Sequence, residues 1–208
     1  MQNWEAVFFD FDGVILDSVN VKTDAFAQMF RPYGPDIEKA VVRYHLDNGG
    51  VSRYEKFRYF YEQLLGKTIT EQELSDLGQQ FSDLVVKKVI DSPFIAGAWD
   101  TLQQIRQNLI PAFVVSGTPD EEIKIIVNEK GLSSYFQEVH GSPRKKWEIT
   151  ADILFQRSLK SDKCIFIGDA LSDYEAAQEN WMHFLGIVPK NEKSIFPAHT
   201  DISSEVTL

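Results

Sequence analysis

Four short apolar runs, each closed by polar and small residues, constrain this chain more than any other feature. They are Ala6-Val-Phe-Phe9, Ala112-Phe-Val-Val115, Cys164-Ile-Phe-Ile167 and Phe184-Leu-Gly-Ile-Val188. Runs that are apolar at consecutive positions, rather than at every second one, suit strands buried on both faces, as in a parallel sheet. Phe136 to His140 reads as a further, shorter strand. Helical segments alternate with these runs. The segment from Pro119 carries Asp120, Glu121 and Glu122 in its first turn and stops at Lys130-Gly131, as the helix dipole and a glycine terminator require. Lys146 to Leu159 and Ser172 to Trp181 read as two more helices, with Ser172 as an N-cap. The expected class is α/β, a mostly parallel sheet flanked by helices on both faces.

Between Asp17 and Ile90 the alternation breaks. Helical patterns at Tyr54–Leu65 and Glu71–Val89 stand there without a strand run, so the stretch reads as a helical insertion directly after the first strand. The expected division is a core of residues 1–16 and 91–208 and a small helical cap domain at 17–90.

Composition narrows the partners. A net charge of -10 repels phosphate backbones and anionic lipid headgroups, which argues against nucleic acid and membrane surfaces. No stretch reaches the roughly 20 apolar residues needed to span a bilayer, and no basic, apolar leader opens the chain, so a cytoplasmic protein is expected. The single cysteine, Cys164, lies inside an apolar run and is expected to be a buried strand thiol. His45, His140, His183 and His199 show no metal-ligand spacing; His45 stands out only because it precedes the loop Gly49-Gly-Val-Ser-Arg53.

Polar clusters close three of the runs. Asp10-Phe-Asp-Gly13 follows the first: two carboxylates two apart can project to one side of an extended chain, and Gly13 lets the backbone turn tightly beside a ligand. Alone, such a tetrapeptide is an ordinary Asx-rich turn. Ser116-Gly-Thr118 closes the second run and precedes a helix, where a hydroxyl and backbone N–H groups can cradle phosphate. Gly168-Asp-Ala-Leu-Ser-Asp173 closes the third. Asp169 and Asp173 are hard oxygen ligands, which beside phosphate point to Mg²⁺. Between the last two lies Gly141-Ser-Pro-Arg-Lys-Lys146, where Arg144, Lys145 and Lys146 all offer a cation for a phosphoryl group.

Taken in order, Asp10-Phe-Asp-Gly-Val-Ile-Leu-Asp17-Ser18, Ser116, Lys146 or Lys145, and Asp169 with Asp173 resemble the four motifs of the haloacid dehalogenase superfamily, over essentially the whole chain. The resemblance implies a Rossmann-like core. The insert after the first motif is similar to the helical-cap group, which includes phosphoglycolate phosphatases, sugar-phosphate phosphatases and beta-phosphoglucomutase. It implies a phosphatase for a small phosphorylated metabolite, with an aspartyl-phosphate on Asp10 and with Asp12 as general acid and base. It also implies Ser116, Gly13 and the Gly117 amide near phosphate, and Mg²⁺ held by Asp10, the Asp12 carbonyl, Asp169 and Asp173. Read as Gly-Ser-Pro-x-x-Lys before a helix, it favours Lys146 over Lys145. Ser52, Arg53 and Lys56 resemble cap residues that touch the substrate's non-reacting end.

Asp12 further implies phosphoester chemistry over carbon–halogen cleavage. The alternative is a sugar phosphomutase. Val14 matches it, but Gly168-Asp169 stands where a mutase would carry a Glu-Asp pair. A non-catalytic binding protein on the same fold is the more distant alternative. A monomer or homodimer is expected, and the polar segment Asn191–Leu208 reads as unstructured and offers no functional signal.

Overall fold

The computed structural model describes residues 4–208. Its strands are β1 (Ala6–Phe9), β2 (Ala112–Pro119), β3 (Glu138–Ser142), β4 (Cys164–Gly168), β5 (His183–Ile187) and β6 (Ile202–Ser203). They form one sheet in the order β3-β2-β1-β4-β5-β6, with every neighbouring pair parallel. β1 is central, with Phe9 level with Val114 on one side and Ile167 on the other. The chain order reverses direction across the β1–β4 pair. At such a switch point the loops leaving neighbouring strands diverge and open a crevice beyond their carboxyl ends.

The continuous apolar character of β1 has a direct cause. Val7 and Phe9 belong to one core, with Val114, Ile123, Ile126 and Ile167. Ala6 and Phe8 belong to the other, with Phe113, Val115, Ile149, Ile153 and Phe166. Each face is covered by helices: α5 (Ala98–Gln107) and α6 (Asp120–Glu129) on the first, α7 (Lys146–Gln156) and α8 (Leu171–Glu179) on the second. Cys164 is buried in the second core, as expected, and burial pushes its thiol up to about 12, so it is inert.

The helical cap holds α1 (Val19–Phe30), α2 (Pro35–Asp47), α3 (Arg53–Tyr59) and α4 (Glu71–Asp91), packed around Phe26, Phe30, Phe57, Phe60 and Phe81. Phe26 and Phe81 lie 4.3 Å apart between ring centroids. The chain leaves and re-enters the core through adjacent segments: Asp17 N donates to Pro93 O at 2.9 Å and Ile95 N to Ile15 O at 3.0 Å.

Several local expectations change. The Tyr54–Leu65 helix is α3 followed by a π turn at Phe60–Leu64. Helices α1, α2 and α5 carry no signal strong enough to have been read from the sequence. Helix α8 starts one residue before Ser172, which therefore is not its N-cap; the Asp173 carboxylate takes the Ala170 N–H instead, at 3.1 Å. The segment after Asn191 is not structureless. It supplies β6, buries Phe196 against Tyr174 and Phe184, and ends with Val206 buried, its N–H donated to Ala96 O at 2.8 Å.

Candidate active site

Asp10 is the first residue beyond β1 and is buried, with its carboxylate turned back on its own loop: Phe11 N donates to Asp10 Oδ1 at 2.7 Å. The helix α7 that follows β3 begins at Lys146, whose ammonium reaches Asp10 Oδ2 at 2.8 Å and Asp173 Oδ1 at 2.6 Å. Lys145 is exposed and its backbone N–H is taken by Glu148 at 3.3 Å; Arg144 pairs with Asp152 at the surface. Of the three cations the sequence left open, only Lys146 meets Asp10.

Carboxylate oxygens of Asp10, Asp169 and Asp173 lie within 4.8 Å of one another. Burial and then the charges of Asp10 and Asp173 raise Asp169 well above the usual carboxylate range. Burial likewise raises Asp173 to about 7, although Lys146 pulls it down. Lys146 itself is raised, because its two carboxylate neighbours outweigh the cost of burial. Three acids thus share one ammonium, and a second positive charge is called for. Oxygen-only donors at this spacing fit a hard divalent cation, for which Asp10, Asp169 and Asp173 supply the carboxylates. Gly13 has φ +80°, a conformation side chains seldom adopt, and a Cβ there would strike the Asp169 carboxylate.

A cation among these carboxylates has a measurable consequence. A carboxyl raised in the folded state stabilises fully below its unfolded value, here 3.8, and loses that contribution as pH climbs through its folded value, about 7 for Asp173. Chelator-treated protein is therefore expected to lose melting temperature across that window. Added Mg²⁺ should restore more at about pH 8 than at about pH 5. An equal gain at both would contradict a cation among these carboxylates.

Asp12 sits in a separate network. Ser18 Oγ donates to its Oδ1 at 2.6 Å; Thr118 Oγ1 donates to Oδ2 at 3.1 Å; and Lys22 Nζ contacts Oδ2 while also donating to Thr118 Oγ1 at 2.7 Å. Burial alone would raise this carboxyl, but the Lys22 charge and these hydrogen bonds outweigh it and hold it low. Lys22 was missed in the sequence. Its one signal is position, four residues after Ser18 and hence on the same helical face.

Ser116 is buried within β2, just after the regular pairing with β3 breaks at Val115, its Oγ accepting from Thr118 N at 3.1 Å. Gly117 packs directly on the Gly50 carbonyl of the cap loop, with no room for a side chain. A cavity of about 750 Å³ runs between core and cap. Asp10, Asp12, Gly13, Ser116, Gly117 and Asp169 line it from the core, and Arg53 and Lys56 from the cap. Glu192, Lys193, Ile195 and Ser204 also line it, so the C-terminal segment does belong to the site.

Of the cap residues singled out earlier, Ser52 is not among the lining residues. It is buried as the N-cap of α3, accepting from Tyr54 N at 3.3 Å. Arg53 is locked to Glu122 of α6 by two hydrogen bonds, one of 2.9 Å, donates to Ser82 Oγ at 2.8 Å and lies over the Phe81 ring. Glu122, read from the sequence as an ordinary first-turn acid, is therefore the buried link between core and cap. Glu122→Gln strands the Arg53 charge and is expected to cost about 3–5 kcal/mol in urea unfolding. A loss under about 1 kcal/mol would mean that the pair is solvated, as surface pairs are.

A model of the haloacid dehalogenase-like hydrolases matches residues 7–187, from β1 through β5. The chain belongs to that family. Its enzymatic, hydrolytic character, expected from the motif order, follows from that membership. Among haloacid dehalogenase-like hydrolases it is 26% identical over 200 residues to the phosphoglycolate phosphatase of Photobacterium profundum, covering 87% of this chain and 82% of that one. Beta-phosphoglucomutase from Clostridium difficile shares the fold with a TM-score of 0.71 at 21% identity, over 89% of this chain and 85% of that one. CbbY from Rhodobacter sphaeroides, solved with xylulose-(1,5)bisphosphate, does so with a TM-score of 0.74 at 13% identity, over 97% and 94%. Among the described residues no helix is long and apolar enough to cross a membrane.

Proposed function

We propose that this haloacid dehalogenase-like hydrolase is a magnesium-dependent phosphatase that cleaves a small phosphomonoester through an aspartyl-phosphate on Asp10. One observation carries the reading: the Asp10 carboxylate is buried against Lys146 at 2.8 Å, beside Asp169 and Asp173. In that position it attacks phosphorus, a P–O bond forms on Asp10, and the bond to the leaving oxygen breaks. Lys146 keeps the carboxylate oriented and offsets the charge gathering on the phosphoryl oxygens. Ser116 and the Gly117 amide hold those oxygens. A bound Mg²⁺ supplies further positive charge that offsets the repulsion between carboxylate and phosphate.

The Asp12 carboxylate takes a proton from the P–OH of the bound phosphomonoester monoanion, passes it to the leaving oxygen, and then takes one from the water that opens the phosphoaspartate. With Lys22 against it, Asp12 is held as the carboxylate, the form needed for both proton uptakes. The cap, taken as residues 17–90, closes the cavity over the substrate and excludes bulk water.

The test is phosphate release from a panel of phosphorylated metabolites with Mg²⁺, with isomerised sugar phosphate measured alongside. Release that needs Mg²⁺ supports the reading. Isomerisation without net release would transfer the site to the phosphomutase alternative. Turnover of no phosphomonoester would remove the proposal.

A further inference from the structure

Helix α4 of the cap and helix α6 of the core are joined at two points. At one, Glu122 of α6 accepts two hydrogen bonds from Arg53, one of 2.9 Å, while Ser82 of α4 accepts from Arg53 at 2.8 Å and donates to the same carboxylate. At the other, Lys130 donates to Ile90 O at 2.6 Å and to Ser92 O at 2.7 Å. The points are eight residues apart in both helices, 82 to 90 and 122 to 130, or about 12 Å of helix. The two helices therefore run in the same direction and in register. Between the points the seam is apolar: Val85 and Val89 share one core with Ile123, Ile126 and Val127, all of them 0–1% exposed.

The two points differ in leverage. Ile90 and Ser92 lead into the crossing where the cap's two connections bond each other, Asp17 N to Pro93 O and Ile95 N to Ile15 O. A cap turning on the core must pivot there, and Lys130 fastens that end. A turn of about 20° that swings α4 off α6 would part Glu122 from Ser82 and Arg53 by about 4 Å, enough to break every hydrogen bond among them. Lys22 with Asp12 also crosses from cap to core, but Lys22 lies in the first turn of α1, beside the pivot.

We infer that Arg53, Ser82 and Glu122 form a latch that keeps the cap shut in the ligand-free protein, so that ligands enter and leave the cavity through a rare open form. Opening exchanges a bidentate, hydrogen-bonded charge pair for hydration and uncovers the apolar seam. Hydration offsets much of the first loss. The valine and isoleucine surfaces supply the rest and hold the open form to about 1% or less. The pair makes the shut state conditional: with one partner removed or displaced, the shut form buries an unmatched charge and the open form gains.

Spin labels on Lys39→Cys of α2 and Gln107→Cys of α5, both exposed positions, report the cap–core distance by pulsed electron paramagnetic resonance; the native Cys164 is buried and stays unlabelled. The ligand-free, otherwise wild-type protein is expected to give one narrow distance. Glu122→Gln should add a second distance in roughly a tenth of the molecules or more. Glu122→Asp keeps the charge but shortens its reach by one methylene. It should act in the same direction, and it carries the test if Glu122→Gln fails to fold. Phe196→Leu loosens packing away from the seam and should keep the single distance, which separates a latch from a general loss of stability. Two distances in the wild-type background, one unchanged distance in the folded Glu122 variants, or a second distance in Phe196→Leu as well would each overturn the latch. No turnover is measured, so these results stand apart from the phosphatase reading.

Discussion

Asp10→Asn is expected to lower kcat on every accepted phosphomonoester by roughly 10⁴-fold or more, the scale seen when a covalent nucleophile is removed. The amide has the same shape but lacks the negative, nucleophilic oxygen. Its Oδ1 can still accept the Phe11 N–H that now bonds Asp10 at 2.7 Å, and Lys146 keeps Asp173 at 2.6 Å. The variant should therefore fold, and its circular dichroism spectrum should match wild type. In parallel, wild-type protein quenched in acid during turnover of a phosphorus-labelled substrate should carry label, and the variant should carry none. Undiminished turnover in the amide variant would end the covalent proposal, and so would label that survives the substitution.

The second large effect concerns Lys146. Lys146→Met is expected to cost roughly 10³-fold in kcat, comparable to or above the loss of one oxyanion-hole donor. It should also cost about 3–5 kcal/mol of stability, because two buried carboxylates lose their shared cation. Lys145→Met is the control. Its side chain is exposed, so both kinetics and urea midpoint should stay close to wild type. Mild, equal losses in the two variants would show that neither ammonium serves the reacting group.

These two lysines mark where the sequence stops speaking. Adjacent residues at a helix start differ by about 100° in direction, and composition cannot say which of Lys145 and Lys146 faces the sheet. The same limit applies around Asp12. Lys22 and Thr118 are 96 residues apart and meet only because β1 and β2 are neighbours and α1 starts beside them. Arg53 and Glu122 are further examples: the first was expected at the substrate and the second as a first-turn acid, and packing of the cap against α6 turns them into one buried contact. Helices α1 and α2 lacked a readable outline because their apolar residues serve the aromatic cluster of the cap, not a helix face against a sheet. The tail was misjudged for a similar reason. Isolated apolar residues such as Phe196 and Val206 carry no periodicity, yet each fills a defined position in the core.

What could be read directly was whatever depends on near neighbours in the chain. A buried parallel strand must be apolar throughout and must end in a loop, so the strands and the acidic clusters closing β1 and β4 are written locally. So is the insertion, because strand-free helical sequence cannot extend a sheet. Which charges cancel depends on side chains brought together across tens of residues. Electrostatic energy falls with distance in space and takes no account of distance along the chain, so the pairing of Lys22, Arg53 and Lys146 emerged only with the folded packing.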